Sequence, residues 1–390
     1  MLKTLSNFSG LFNAADPKSM PEGALIVADN IDISKTKLIS RRGGYTQLAT
    51  TTNTVSSYIT RDKSRFFIID DGKIYRVNAD LTLNHIGDAD ATRETSWDDQ
   101  VNYTVNSDGL LINPDNTVLD LRIPAPDQPQ VNVTTGYLTP GQYQVAVTYA
   151  DKTGREGPTS VVRVIQVDTD QGLSIAIAII PDYIAKLYIS EPDGDILYYV
   201  EESTPQNTSQ WAYLLDRNPS LSIAIDNKQQ LCSELPDNIT HVAFFEGKLF
   251  VATQYAGHAF IYFSQEFWWH LYNTKQDYLT LEGRVVSMKA APQGLVIGTE
   301  TQIWVYAQDL LTKVADYGMV AGSSITVDSE NNVLTWTTRG ICSLFPFKNM
   351  THERYSFKPG SHVQTAIVNQ DGNKKLMVLT NDTGAPYNAF

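Results

Sequence analysis

"FFIIDDGKIYRV", residues 66–77, reads as an apolar run, a two-residue polar turn and a second apolar run. Asp71-Gly72 is a pair that tolerates positive φ at both positions, the geometry a tight hairpin needs for its twist to match that of the flanking strands. The surrounding stretch, residues 54–86, holds three or four such runs separated by turn residues. The phrase then returns. Residues 242–253, VAFFEGKLFVAT, place Glu246-Gly247 at the turn, and residues 285–306, VVSMKAAPQGLVIGTETQIWVY, place Gln293-Gly294 there with a second turn near Glu300. Residues 325–345 and 363–379 supply two more.

Recurring small hairpin units predict a β-propeller, in which each small antiparallel sheet covers the face of its neighbour and only short edges stay exposed. The repeats are degenerate, and five to seven blades are compatible with them. A pair of β-sandwiches would show similar spacing and is the alternative architecture.

Between about Pro124 and Asp226 the texture changes. The run IPAPDQPQ, residues 123–130, has three prolines and reads as a linker, because proline cannot donate to a ladder. Beyond it Tyr143, Val145, Val147 and Tyr149 share one strand face by their period of two, as do Leu173, Ile175, Ile177 and Ile179. LYISEPDGDILYYV, residues 187–200, is a further hairpin around Asp193-Gly194. About seven strands in roughly a hundred residues is the content of an immunoglobulin- or fibronectin-like sandwich. The expected fold is therefore all-β, a propeller with an inserted sandwich. Its parts are an N-terminal arm and strand pair at 1–50, propeller at 51–123, sandwich at 124–230 and propeller again at 231–390.

Composition agrees. Hydrophobic residues at 42% and charged residues at 19% describe a folded chain, and 20 Tyr and 14 Phe favour strands. Two cysteines, Cys232 and Cys342, are too few for a disulfide framework or a four-thiolate zinc site, and both are expected as buried free thiols. The start, MLKTLSNFSGLF, has no continuous apolar run, so no signal peptide is expected, synthesis in a cytoplasm is, and stable membrane insertion is not. Net charge is −13, but residues 1–50 carry six Lys/Arg against four Asp/Glu, which leaves −15 on the rest. Such an acidic body repels nucleic acid.

Chemistry is sparsely advertised. The phosphate-cradling, zinc-protease and serine-hydrolase signatures are missing. The six histidines, His85, His241, His258, His270, His352 and His362, lie singly, without metal-ligand spacing. Glu191 to Asp195, EPDGD, has the opening of a calcium loop without its closing ligands and is read as a turn. Asp70-Asp71 and Asp98-Asp99 are acidic pairs, yet adjacent strand residues face opposite ways, against a glycosidase pairing. No catalytic residue, metal or cofactor is expected. Phe267, Trp268, Trp269 and Tyr272 form the densest aromatic group, a hydrophobic plug between blades or an interface core, with carbohydrate stacking or membrane contact as the alternatives.

One further stretch stands out. In ALIVADNIDISKTKLISRRGGYTQL, residues 24–48, a short polar turn is followed by two arginines, two glycines and a tyrosine. Local reading gives a strand ending at Ile33, a turn, and a second strand bent by the glycine pair. Asn30, Asp32, Leu38, Arg41, Arg42, Gly44 and Tyr45 together resemble a pattern at the start of the propeller-containing tail nozzle, or hub, proteins of short-tailed bacteriophages, the tail-tube B or DNA-stabilisation type. The phrases DDGKIYRV, GREGPTS, FFEGKLFVAT…IYFSQ and GMVAGSS…TTRGICSLF also resemble that family's layout. Gly43 stands where the family pattern has proline, and the chain is short for the larger nozzles.

The resemblance implies a structural virion protein of the phage tail and no enzyme. Copies would form a ring, six-fold in the simplest case, below portal and adaptor proteins, extending the DNA conduit and helping retain and deliver the genome. Genomic DNA would pass the lumen without sequence-specific binding, and tail fibres or a tip protein are further partners. Arg41 and Arg42 would suit an acidic adaptor surface. A carbohydrate- or receptor-binding tail module using Trp268 and Trp269, a propeller glycosidase, and a plain scaffold are the other classes left open.

Overall fold

Short apolar strands joined by turns with positive φ build a set of small, mostly antiparallel sheets in this computed structural model, which describes residues 10–12, 20–26, 31–33, 39–41, 50–90, 94–203, 209–221, 223–328, 330–351, 359–370 and 373–380. The predicted turns form at Asp71-Gly72 (φ 50° and 73°) and Glu246-Gly247 (φ 48° and 75°). In the third phrase the turn lies one residue earlier than expected: Pro292 and Gln293 close it, and Gly294 pairs with Ala291 as the first residue of the next strand.

Six sheets follow in order. Sheet one comprises Thr54–Ile59, Phe66–Asp70, Lys73–Val77 and Leu83–Asp88, and sheet two Trp97–Gln100, Tyr103–Asn106, Leu110–Ile112 and Val118–Asp120. Sheet three has His241–Phe245, Lys248–Tyr255 and His258–Gln265, the last paired with both Trp268–Tyr272 and Tyr278–Glu282. Sheet four comprises Val285–Ala291, Gly294–Thr299, Ile303–Ala307 and Leu310–Ala315, and sheet five Ile325–Val327, Val333–Thr337, Gly340–Leu344 and Phe347–Asn349. Sheet six joins Ala321–Ser323, in parallel, to the hairpin His362–Gln370 and Asn373–Thr380.

Each sheet buries a face on the next. Phe67, Ile69 and Ile74 of sheet one meet Trp97 and Ile112 of sheet two. Val105 and Leu111 then meet Val242, Phe244 and Val251 of sheet three. Phe250, Ala252 and Ile261 pack on Val285, Ile297 and Tyr306 of sheet four, whose Val296, Ile303 and Val305 pack on Ile325, Val333 and Leu344 of sheet five. Trp336 of sheet five meets Val363 of sheet six. Full burial of one such aliphatic side chain contributes roughly 1.5–3 kcal/mol, so these seams hold the sheets in sequence. One end strand from every sheet also lines a single central cavity. Sheets stacked face to face with one edge turned to a common centre have the arrangement of a β-propeller.

Two further sheets lie between sheets two and three in the chain. One orders Gln130–Thr135, Gln171–Ala178 and Gln210–Leu215, and the other Arg163–Val167, Gly141–Ala150, Ile184–Ser190 and Leu197–Glu202. Tyr143, Val145, Val147 and Tyr149 from one sheet and Leu173, Ile175 and Ile177 from the other share a core, as the period of two predicts. A helix too short to leave a sequence signal, Asn227–Leu231, leads back to sheet three, capped by Asp226, whose carboxylate accepts the Lys228 N–H at 2.8 Å.

Near the N-terminus Ile31–Ile33 pairs antiparallel with Ile39–Arg41, the hairpin expected there. Cys342 is buried as expected. Cys232 is only half-buried, because it caps the short helix at the edge of sheet three instead of entering a core, and both thiols are free. Among the described residues no helix is long and apolar enough to cross a membrane.

Candidate functional site

The central cavity has a volume of about 320 Å3. Its wall takes Ser56, Ser57 and Tyr58 from sheet one, Glu94 to Trp97 from the approach to sheet two, Thr240 and His241 from sheet three, Arg284 to Lys289 from sheet four, and Gly322, Ile325, His362 and Gln364 from sheets five and six. Much of the hydroxyl chemistry serves the fold. Ser56 Oγ accepts from Trp97 Nε1 at 2.8 Å and donates to the Thr95 carbonyl at 2.9 Å, stitching sheet one to sheet two.

Behind the end of the cavity that Tyr58 and Lys289 line lies a dense charged cluster. Arg61 Nη2 sits astride the Asp98 carboxylate at 2.6 and 2.7 Å. The other lone pairs of Asp98 take the Phe244 N–H at 2.8 Å. Asp99 faces sheet one and accepts from the Tyr58 hydroxyl and from the Arg61 N–H at 3.0 Å. The two neighbouring carboxylates thus serve opposite faces of the strand, as the period of two requires. Burial works against the Arg61 charge, yet Asp98 beside it holds the guanidinium above its ordinary pKa. Burial raises Asp99, and burial together with both carboxylates raises Tyr58. Lys289, in the cavity wall near Asp98, Asp99 and Arg61, is pushed down by burial.

The other end is milder. His362 Nε2 lies 3.2 Å from Glu94 Oε2, a polar contact between sheet six and the approach to sheet two. Burial raises the Glu94 pKa against the pull of His362. Burial pushes His241 down to about 4. No group of three or more His, Cys, Asp or Glu among the described residues is placed to hold a metal ion.

A second polar centre joins the inserted sheets to the ring, and it falls on the GREGPTS phrase, residues 154–160. Glu156 accepts from the Thr148 and Tyr188 hydroxyls and from Lys186 Nζ, the last at 3.1 Å. Its carbonyl receives His270 Nε2 of sheet three at 2.9 Å. Arg155 Nη2 reaches the Asp120 carbonyl of sheet two at 2.8 Å, and the Tyr183 hydroxyl reaches the Arg122 carbonyl at 3.1 Å. Sequence reading singled out the phrase but not its role as a junction, since spacing alone does not say where a carbonyl will be met.

The residues singled out in advance do not gather at the cavity. Phe267 occupies a tight turn at φ 61° and is exposed. Trp268 stacks near His270 and carries Lys228 Nζ over its ring at 5.7 Å. Trp269 makes edge contacts with Tyr103 and Phe244 and donates to the Gly247 carbonyl at 3.0 Å, and Tyr272 is fully buried in the same seam. Of the N-terminal set, Arg41 is an exposed strand residue and Asp32 pairs with Ser40 through the backbone. Asn30, Leu38, Arg42, Gly44 and Tyr45 lie outside the described residues. The EPDGD turn is closed by Gly194 N–H on the Glu191 carbonyl at 3.0 Å, and its Asp193 carboxylate accepts the Gln142 N–H at 2.9 Å.

No family model matches the chain, and no curated protein does. Among solved structures it is similar to KlHsv2 carrying a Gly-Ser linker in place of loop 6CD, at 9% identity and a TM-score of 0.26, over 84% of this chain and 97% of that one. It is similar to U3-55K at 10% identity and 0.26, over 74% and 89%, and to the Dos1 propeller at 11% and 0.25, over 81% and 89%. Superpositions this loose say nothing of function, and the description of the fold rests on the chain's own sheets.

Proposed function

We propose that the chain is a structural subunit of a short-tailed phage tail, a nozzle or hub protein, and that the inserted sheets are an immunoglobulin- or fibronectin-like sandwich carried on a propeller. The observation that carries this reading is the junction at residues 154–160. A propeller interrupted between its second and third sheets, with the inserted body tied back by Glu156, Arg155 and Tyr183, is the layout the family resemblance implies. Such bonds favour a rigid wall element over a swinging module.

Passive work is favoured over bond-breaking by the state of the carboxylates. Asp98 and Asp99 are occupied by Arg61, Tyr58 and a backbone N–H, so these two carboxylates do not form the pair facing across a cleft that glycoside hydrolysis requires. A cavity of about 320 Å3 holds a small molecule, not a duplex, so the DNA conduit would lie between copies arranged around an axis outside the chain. In such a closed ring one heterologous contact repeats at every interface, and the acidic body would keep phosphates from adhering to the wall.

Sedimentation of the purified protein with portal and adaptor rings tests the assignment. Co-sedimentation in a fixed ratio, together with its detection in purified virions, is the expected result. Separate species and absence from virions would overturn it.

A further inference from the structure

The central cavity carries an amine that the fold leaves free, and we propose that Lys289 is a covalent binding site whose side-chain amine condenses with a small neutral aldehyde to an imine. This inference goes beyond the tail assignment and does not depend on it. The cavity, about 320 Å3, lies at the small end of the roughly 300–1,000 Å3 typical of ligand sites.

Lys289 lies on Val285–Ala291, the end strand that sheet four turns to the centre. Met288 and Ala290 of that strand enter the core shared with sheet three, so Ser287 and Lys289, two residues apart, take the other face together. Both line the cavity. Neither the Ser287 hydroxyl nor the Lys289 amine has a hydrogen-bond or ion-pair partner among the described residues, and, unlike the Thr95 hydroxyl, neither is sealed off. Other lysines are tied: Lys186 to Glu156 at 3.1 Å, Lys152 to Asp182 at 2.6 Å and Lys313 to Asp316 at 2.6 Å. A carboxylate at such range keeps a lysine protonated. Burial is the largest influence on Lys289 and pushes its pKa below the ordinary 10.5, with Arg61 acting the same way and Asp98 and Asp99 against. Free base, gained by burial, is what makes a lysine a nucleophile.

The wall favours a neutral electrophile. Glu94 would repel an anion and Arg284 a cation, whereas a bond to the amine needs no opposite charge. Met288, Val286 and Ile325 add apolar surface. In the proposed step the Nζ lone pair attacks the carbonyl carbon, a C–N bond forms, and the carbonyl oxygen takes one proton from Nζ. The C–O bond of this carbinolamine then breaks, and the oxygen leaves as water with the second Nζ proton. A C=N bond remains, with no net oxidation or reduction. Ser287, on the same strand face, offers a hydroxyl to the oxygen as it changes from carbonyl to leaving group.

The test is reductive trapping on the full folded chain with glycolaldehyde and, separately, benzaldehyde, each in limiting amount with sodium cyanoborohydride at pH 7, followed by peptide mass analysis. The hydride reduces the imine to a stable secondary amine and so marks the lysine that formed it. Lys289 should be labelled several-fold faster than the exposed Lys73 by at least one of the two aldehydes. Its labelling rate should also level off at a lower pH than that of Lys73, which exposure alone would not produce. Lys289→Met should lose the fast label and, since no bonded partner is given up, melt no lower than the parent chain. Labelling of Lys289 no faster than Lys73 with both aldehydes, a shared pH profile, or a fast label that survives in Lys289→Met would each overturn the proposal. A lower melting temperature in Lys289→Met would do the same, by showing that the amine is bonded within the fold. So would protection of Lys289 by inorganic phosphate, which would assign the ammonium to an anion.

Discussion

His270 Nε2 lies 2.9 Å from the carbonyl oxygen of Glu156, so a side chain of sheet three is bonded to the backbone of the inserted sheets. A carbonyl only accepts, so Nε2 carries the proton. Burial pushes the His270 pKa from an ordinary 6.5 down to about 4. The folded chain thus holds a neutral ring, while the unfolded chain binds a proton between those values. Stability from this group is complete above about pH 6.5 and falls as the pH drops towards 4. The loss by pH 5 is about 2 kcal/mol. Urea midpoints at pH 7.5 and pH 5 should converge in His270→Gln, which keeps an N–H for Glu156. His241 titrates in the same direction, so the variant should lose part of the acid sensitivity and keep the rest. An unchanged pH profile would show that His270 is not held neutral by the fold.

Arg61 and Asp98 form an ion pair at 2.6 Å, with Asp98 buried and Arg61 half-exposed. Removing the guanidinium leaves a buried carboxylate with one backbone donor, from Phe244. Arg61→Met should cost about 2–4 kcal/mol. Arg61→Met combined with Asp98→Asn should cost less than the sum of the two single changes, because the stranded charge is gone. Additive losses in a urea double-mutant cycle would mean that the pair is not coupled.

Much of this fold was legible in the sequence because its turns obey simple chemistry. Asp71-Gly72 and Glu246-Gly247 end apolar runs with residues suited to positive φ, and the alternation of Tyr143, Val145, Val147 and Tyr149 located one face of the inserted core. Sheet two was harder to see. Its first hairpin turns at Val101 and Asn102, at φ 44° and 68°, and a β-branched residue there gives no turn signal. The centre was less legible still. Thr95, His241, Lys289 and His362 are far apart in the chain and line one cavity only because every one of the six sheets turns an edge to it. The aromatic group at 267–272 was conspicuous for composition, and two of its four members, Trp269 and Tyr272, pack in a seam.

Val101 offers a direct check of that turn. Its side chain is 78% exposed, so little packing is at stake, while its left-handed backbone costs a branched residue about 1–2 kcal/mol. Val101→Asn should raise stability by about 1 kcal/mol, since asparagine tolerates that region. A lower melting temperature would place the turn elsewhere.

Gly318 sits where the chain leaves sheet four for sheet five. A Cβ built there would lie 2.0 Å from the Glu300 carbonyl oxygen and 2.5 Å from that of Thr299, and backbone cannot yield as a side-chain tip can. The same crossing is fixed by Met319 N–H on the Thr299 carbonyl at 3.0 Å and Thr338 N–H on the Gly318 carbonyl at 3.1 Å. Gly318→Ala must therefore push the two sheets apart or break these bonds, at a cost of about 3 kcal/mol or more. Cys342 of sheet five provides the readout. Its thiol is fully buried beside the Tyr317 hydroxyl at 3.3 Å, and burial raises its pKa, so a thiol reagent should reach it slowly in the parent chain. In Gly318→Ala, on a Cys232→Ser background, labelling of Cys342 should accelerate at urea concentrations well below the parent midpoint. If labelling and unfolding are unchanged, sheets four and five do not meet through Gly318, and the order of sheets around the cavity would need to be redrawn at that seam.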